Sequence, residues 1–468
     1  MFDSDEDEFF NANLNEDIFN FENYLNGGKM VFVDSDRLEF LIDHYLMNSQ
    51  YSKANQASDY AREQFPYNSV FTIRKAQAMS AIGLLKEALS LLNNVEKIEL
   101  SSPELMLTKA SIFSQLRDHK QAIRYFSEAL KLAEGEEDRD EIYLDLAMEY
   151  QAVKDYYGAL RVLEEAIKIN PTNEGAIYEI AYCYDQLGEF VKAIKCYSDF
   201  IDENPYSFTA WYNLGNAYSK LEDYDNAIDA YGYCIVINEE FGPVYFNLGN
   251  AYMGNDNYQM AVESFMKCIE LDGEDPMAFC YLGEAYEQMN ELDTAESYYK
   301  LSLELSPLLP DAWLGLGIVE DLKGNTKEGL TLILKASELD PNNSGIFHVL
   351  AGAYEKLEMF DLANEAYDKS LSLDSTDIDC LRGYTLLLAS QRSGVEVLHF
   401  LQNFTQEFGA NDTLDLLLVN QMWIIGQKEE ALSLFKLCVE RDLEFAKEIF
   451  EINKDLLTVS EFIHLTEN

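Results

Sequence analysis

Trp-Tyr-Asn-Leu-Gly-Asn-Ala-Tyr at residues 211–218 and Tyr-Phe-Asn-Leu-Gly-Asn-Ala-Tyr at 245–252 agree in six of eight positions, 34 residues apart. A recurrence at fixed interval outranks local propensity, because it marks a unit that stacks upon copies of itself. Steps of 34 reach Phe279, Leu282, Gly283 and Tyr286, then Trp313, Leu316 and Gly317, then Phe347, Leu350 and Tyr354. The second half of the unit keeps the same phase. Ala159, Ala193, Ala227, Ala261, Ala295 and Ala363 are each followed four residues later by Leu163, Tyr197, Tyr231, Phe265, Tyr299 and Tyr367. Prolines close several units, at Pro66, Pro171, Pro205, Pro307 and Pro341.

An aromatic, then Leu-Gly, Tyr, Ala, an aromatic and a terminal Pro: this order resembles the tetratricopeptide repeat family, with six consecutive matches between about 140 and 377. The resemblance implies an all-α fold, a right-handed superhelical solenoid of about twelve helical hairpins with terminal capping helices. Units beginning near Ser35, Ser69, Pro103, Asp140, Glu174, Phe208, Gly242, Pro276, Pro310, Ser344, Ile378 and Asp412 tile the chain. The expected organisation is an acidic arm or capping helix over 1–34, the array over 35–445, and closing helices over 446–468. A three-residue excess at Gly135–Arg139 reads as a lengthened loop opened by a glycine. In each hairpin, small residues at the Gly and Ala positions let two helices approach, and the aromatics fill the wedge between successive hairpins. Ala110, Ala147, Ala181 and Ala351 replace the Gly; Cys234, Cys268 and Cys438 stand where Ala129 and Ala166 occur, which makes them small core fillers.

Outside the array, residues 1–34 hold nine acidic residues and one Lys. Leu14, Ile18, Phe21 and Leu25 share one helical face there, and Gly27-Gly28 ends the helix. It either docks on the first hairpin as a cap or serves as an acidic, aromatic arm for a partner. At the other end, Ile449, Ile452, Leu456 and Leu457 keep helical spacing within Phe445–His464, consistent with one or two closing helices.

The chain of 468 residues carries 34 Lys plus Arg against 84 Asp plus Glu, a formal charge of −50. Such a surface repels phosphate backbones and anionic headgroups, which disfavours nucleic acid and acidic membranes as partners and favours basic segments of proteins. The acidic start lacks the positive region of a signal peptide and no apolar run is long enough to span a membrane, so a cytoplasmic location without membrane insertion is expected. Seven cysteines without a CxxC pair fit a reducing compartment.

Catalytic signatures are missing: no P-loop, GxGxxG, GxSxG or HExxH, and His44, His119, His348, His399 and His464 stand at no metal-ligand spacing. No enzyme activity, cofactor or metal is expected. In the family this chain resembles, residues one and five after the aromatic anchor of each first helix line a concave groove. The resemblance therefore places Tyr178 and Tyr182, Tyr212 and Asn216, Phe246 and Asn250, Cys280 and Glu284, and Leu314 and Ile318 in that groove. Asn216 and Asn250 would pair with the main chain of an extended peptide while the aromatics take its side chains. Asp185, Glu287, Asp321 and Glu355 further along would make the margin negative, so the ligand would combine apolar anchors with Lys or Arg. Family members that hold a C-terminal carboxylate use cations where this chain has Tyr212, Phe246 and Cys280. An adaptor or scaffold follows. Two alternatives are a holdase that captures unfolded chains with weak sequence preference, and an acidic regulator that shields a basic nucleic-acid-binding protein.

Overall fold

Polar punctuation divides the apolar runs into helices. The computed structural model describes residues 3–29, 33–97, 102–133 and 135–467, and among them every regular element is helical. Asn and Ser or Asp side chains accept the orphan amides of first turns: Asn173 Oδ1 from Ala176 N at 2.8 Å, Ser207 Oγ from Ala210 N at 3.1 Å, Asp275 Oδ1 from Ala278 N at 2.9 Å. Pro103, Pro276 and Pro310 open helices at a position whose amide needs no partner.

After α1 (Asp3–Leu25) the described residues form twelve antiparallel hairpins. In the first compact unit, residues 1–239, they are α2 (Ser35–Met47) with α3 (Tyr51–Gln64), α4 (Val70–Ala81) with α5 (Leu85–Glu96), α6 (Pro103–Gln115) with α7 (His119–Leu132), α8 (Glu136–Ala152) with α9 (Tyr156–Ile169), α10 (Glu174–Leu187) with α11 (Phe190–Glu203), and α12 (Phe208–Lys220) with α13 (Tyr224–Ile237). The second unit, 240–468, holds α14 (Gly242–Gly254) with α15 (Tyr258–Asp272), α16 (Pro276–Gln288) with α17 (Leu292–Leu305), α18 (Pro310–Leu322) with α19 (Thr326–Leu339), α20 (Ser344–Lys356) with α21 (Phe360–Leu373), α22 (Ile378–Gln391) with α23 (Gly394–Phe408), and α24 (Asp412–Ile424) with α25 (Lys428–Arg441). Within each unit first helices lie beside one another: α2 by α4, α4 by α6, α8 by α10 and α10 by α12 in one, α14 by α16, α16 by α18 and α18 by α20 in the other.

The excess at Gly135–Arg139 is not a loop. Residues 136–139 extend α8 at its N-terminus, making it 17 residues long where its counterparts have 12 to 14. The sequence after Gly135 has neither Gly nor Pro and is acidic, a composition that suits the positive end of a helix.

One residue in the turn between the two helices is left-handed in eleven hairpins. Gly83, Gly188, Gly324 and Gly426 supply it in four; Ser49, Arg117, Lys154, Glu222, Asp256, Asn290 and Glu358 supply it elsewhere at φ of 54° to 61°. The α22–α23 turn departs, with Ser393 and Glu396 forming a reciprocal capping box. Between hairpins, the Nε1–H of Trp211 donates to the Pro205 carbonyl at 3.0 Å and that of Trp313 to Pro307 at 2.9 Å, so the aromatic anchor ties down the preceding turn.

In three hairpins the glycine of the Leu-Gly pair makes room for the ring of its own hairpin. A Cβ on Gly215 would meet Tyr231 at 2.5 Å, on Gly249 would meet Phe265 at 2.5 Å, and on Gly283 would meet Tyr299 at 2.8 Å. Cys234, Cys268 and Cys438 are buried, and burial pushes the thiols of the first two up to about 12 and about 11, as befits inert fillers.

At the N-terminal end α1 lies on the first hairpin. Phe21 is fully buried 6.0 Å from the ring of Tyr45. Asp17 is also buried and accepts from Arg37 Nε and Nη2 at 2.8 and 2.6 Å. Leu25 is exposed, contrary to the expected apolar face, because the helix ends there and Gly27 turns the chain away at φ +90°. Met1 and Phe2 of the acidic start lie outside the described residues. Beyond α25 come two single turns, α26 (Leu443–Ala446) and α27 (Ile449–Ile452), a 3-10 turn at Lys454–Thr458 and α28 (Ser460–Glu467). Phe462 of α28 is buried against Phe435 at 4.7 Å and Trp423 at 5.1 Å.

Candidate binding face

Side chains four residues apart on a first helix fall on one face, so Tyr178 and Tyr182 of α10 stand together. Both are exposed, Tyr178 to 66% and Tyr182 to 45%, and the ring of Tyr182 meets Tyr156 edge-on at 6.2 Å. On neighbouring α12, Tyr212 and Asn216 are half-buried. Tyr231 donates its hydroxyl to Asn216 Oδ1 at 2.8 Å, so this amide oxygen serves the hairpin itself.

The remaining expected residues belong to the second unit. Phe246 is half-buried between the rings of Phe265 at 5.8 Å and Tyr281 at 5.6 Å. Asn250 and Glu284, on adjacent α14 and α16, are half-buried, as are Leu314 and Ile318. Burial raises the Glu284 carboxyl, with Asp311 adding to the rise. Cys280 does not line a groove: it is 95% buried in the core with Ala295, Tyr299 and Leu316, because at this hairpin the small thiol is covered by its neighbours.

Of the four acids expected at the margin, Asp185 is exposed, whereas the other three have partners within the chain. Glu287 accepts the Tyr299 hydroxyl at 2.9 Å and burial pushes its carboxyl up to about 7. Glu355 accepts the Tyr367 hydroxyl at 3.3 Å, and Asp321 pairs with Lys356 at 2.5 Å. These carboxylates stand one repeat position apart from hairpin to hairpin and answer internal donors.

A feature the sequence reading missed lies nearer the N-terminus. Between α4, α6 and α8 opens a depression of about 810 Å³, lined among others by Gln77, Leu107, Ser111, Glu141 and Asp145. Glu104 at its wall is paired with Arg74, which also holds Glu39 and Asp43. The Asp145 carboxyl is raised by desolvation in the depression, with Glu141 and Glu149 beside it adding to the rise, although the residue keeps solvent exposure. The sequence did carry a signal: the register that selects Tyr178 and Tyr182 falls on Leu107 and Ser111 in α6 and on Gln77 in α4. Met148, further along α8, is exposed.

No described helix is long and apolar enough to cross a membrane. Family models described as tetratricopeptide repeat match residues 103–136, 150–215, 208–241, 242–275, 278–307 and 344–377. No curated protein matches the chain. Among solved structures it is similar to a crystal structure of an APC/C hetero-tetramer of Cut9 and Hcn1, at 14% identity and a TM-score of 0.45 over 89% of this chain and 95% of that one. It is also similar to a tetratricopeptide repeat protein from Parabacteroides merdae, at 15% identity and a TM-score of 0.47 over 53% of this chain and 98% of that one.

Proposed function

The chain is a tetratricopeptide repeat protein, and from that premise we propose that it is a non-enzymatic adaptor that holds a polypeptide segment on the first-helix face of its N-terminal unit. Arrays of this kind generally bind proteins or peptides. The observation that carries the reading is the pair of exposed tyrosines on α10, Tyr178 and Tyr182, large amphipathic rings left uncovered by the array's own packing. Rings of this kind provide contact area at low entropic cost. Asp145 and Glu141 of the depression favour a ligand that adds Lys or Arg to its apolar anchors.

The test is selection of peptides from a random displayed library by the full chain at near-physiological salt. Enrichment of sequences pairing aromatic or aliphatic residues with Lys or Arg is expected, with affinity falling at least about tenfold, or 1.4 kcal/mol, in a Tyr178→Ala, Tyr182→Ala variant of unchanged helicity. Equal binding by both forms sinks the reading. Enrichment of unrelated apolar peptides would favour the holdase alternative, and binding abolished by moderate salt would favour the acidic regulator.

A further inference from the structure

Three atoms of metal-ligand type from two hairpins of the second unit converge. His348 lies on α20, Asp377 caps α22, and Cys380 sits in the first turn of α22. The imidazole, carboxylate and thiol ligand atoms all lie within 4.8 Å of one another. His348 Nδ1 is 3.2 Å from Asp377 Oδ2. A nitrogen and an oxygen ligand bound tetrahedrally to zinc at about 2.0–2.1 Å are separated by roughly 3.3 Å, so two of the three are already at ligand spacing.

The surroundings hold the donors in place. Asp377 Oδ1 accepts the Cys380 amide at 2.9 Å, which leaves Oδ2 turned toward the imidazole. Ser370, near the Cys380 thiol, donates to the Ser344 carbonyl at 3.0 Å. Such outer partners fix ligand orientation in metal sites. Cys380 is fully buried, whereas His348 and Asp377 are only partly so, which leaves one side open for a water and for entry of an ion. Cys234, Cys268 and Cys438 belong to no such group among the described residues. At the position of Cys380 other hairpins carry Ala176, Ala210, Ala278 and Ala312, so packing alone does not demand sulfur there.

We propose that His348, Asp377 and Cys380 bind one divalent transition-metal ion of the zinc class, with water as the fourth ligand. A mixed N, O and S donor set suits a borderline cation and disfavours Mg²⁺ and Ca²⁺, which take oxygen. On binding, the thiol proton leaves to solvent as the sulfur–metal bond forms. The imidazole binds through Nδ1, so its single proton resides on Nε2. The ion then links α20 to α22, and the site stabilises these two hairpins in proportion to its occupancy.

The experiment uses the reduced, chelator-stripped full chain titrated with Co²⁺ and then Zn²⁺. One equivalent of cobalt should give a thiolate-to-cobalt charge-transfer band that zinc abolishes. Cys380→Ser should remove the band, Cys268→Ser should keep it, and His348→Ala, at a partly exposed position, should weaken binding at least tenfold with helicity intact. Zinc should raise the thermal midpoint of the wild type, and that of His348→Ala by less at the same zinc concentration. No band in the wild type, or a band of equal strength in Cys380→Ser, overturns the proposal.

Discussion

Hairpins α14–α15 and α16–α17 place a ring at the same point over a glycine, Phe265 over Gly249 and Tyr299 over Gly283, and differ there by one oxygen atom. Phe265 stacks on Tyr281 at 5.6 Å in an apolar cluster that includes Met253. Tyr299 brings a hydroxyl into the same kind of place, and Glu287, which stands where Met253 does in the preceding hairpin, accepts its hydrogen bond. Tyr231 is answered by Asn216 and Ser219, Tyr367 by Glu355; where Ile333 replaces the ring, Asp321 turns to Lys356 instead. The repeat thus sets where the ring goes, and the side chains facing it from the first helix decide whether the pocket is dry or polar. A buried hydroxyl without that acceptor would lose more than its bond is worth.

Truncating the rings tests the shared part. Phe265→Ala and Tyr299→Ala should each cost about 3–5 kcal/mol, seen as lost amide protection in the affected hairpin by hydrogen exchange. If Tyr299→Ala costs much less, the polar pocket is the weaker of the two. The difference itself is tested by pH. Glu287 titrates near 7 in the folded chain and about 4.3 unfolded. Between these values the native state holds the extra proton, so stability falls as pH rises through that window and levels off above it, by at most about 4 kcal/mol. Denaturation of wild type and Glu287→Gln at pH 5 and pH 8 should show the wild type losing more; parallel behaviour would place Glu287 in contact with water.

Filling the glycines comes next. Gly249→Ala and Gly283→Ala should cost about 1–3 kcal/mol, the former more because its Cβ would meet the ring closer; urea midpoints with unchanged helicity give the ranking. The smallest effect is in the turns. Asn290→Gly removes a left-handed non-glycine residue and should stabilise by up to ~1 kcal/mol. Asp256→Gly should gain less, since Asp256 Oδ1 accepts the Tyr258 hydroxyl at 2.6 Å. Equal thermal shifts for the two would show that this exposed bond contributes nothing.

Phase was legible in the sequence because most hairpins of the central array repeat a small residue, an alanine and a bulky side chain in the same places, so helix positions followed from Trp211–Tyr218 outward. What sat on those helices was less legible. Glu287 and Glu355 look like surface acids until the tyrosine twelve residues on is seen to reach them. Cys280 falls in groove register, yet neighbouring side chains bury it. Residues 136–139 read as a loop because a broken register says that residues were added and not what shape they take. His348, Asp377 and Cys380 match no linear motif, since Asp377 joins the group only when α22 packs near α20.

Helix contacts in each unit are dominated by neighbours in the chain: a helix touches the next one and the one after it. Closing such contacts needs only short loops, and short loops form quickly. A growing chain therefore has no need to wait for its C-terminus. Each hairpin leaving the ribosome finds its template already in place, with one apolar face exposed until the next arrives. Contacts of this range allow folding to follow synthesis, and a stalled chain would be a shorter array with an uncovered end.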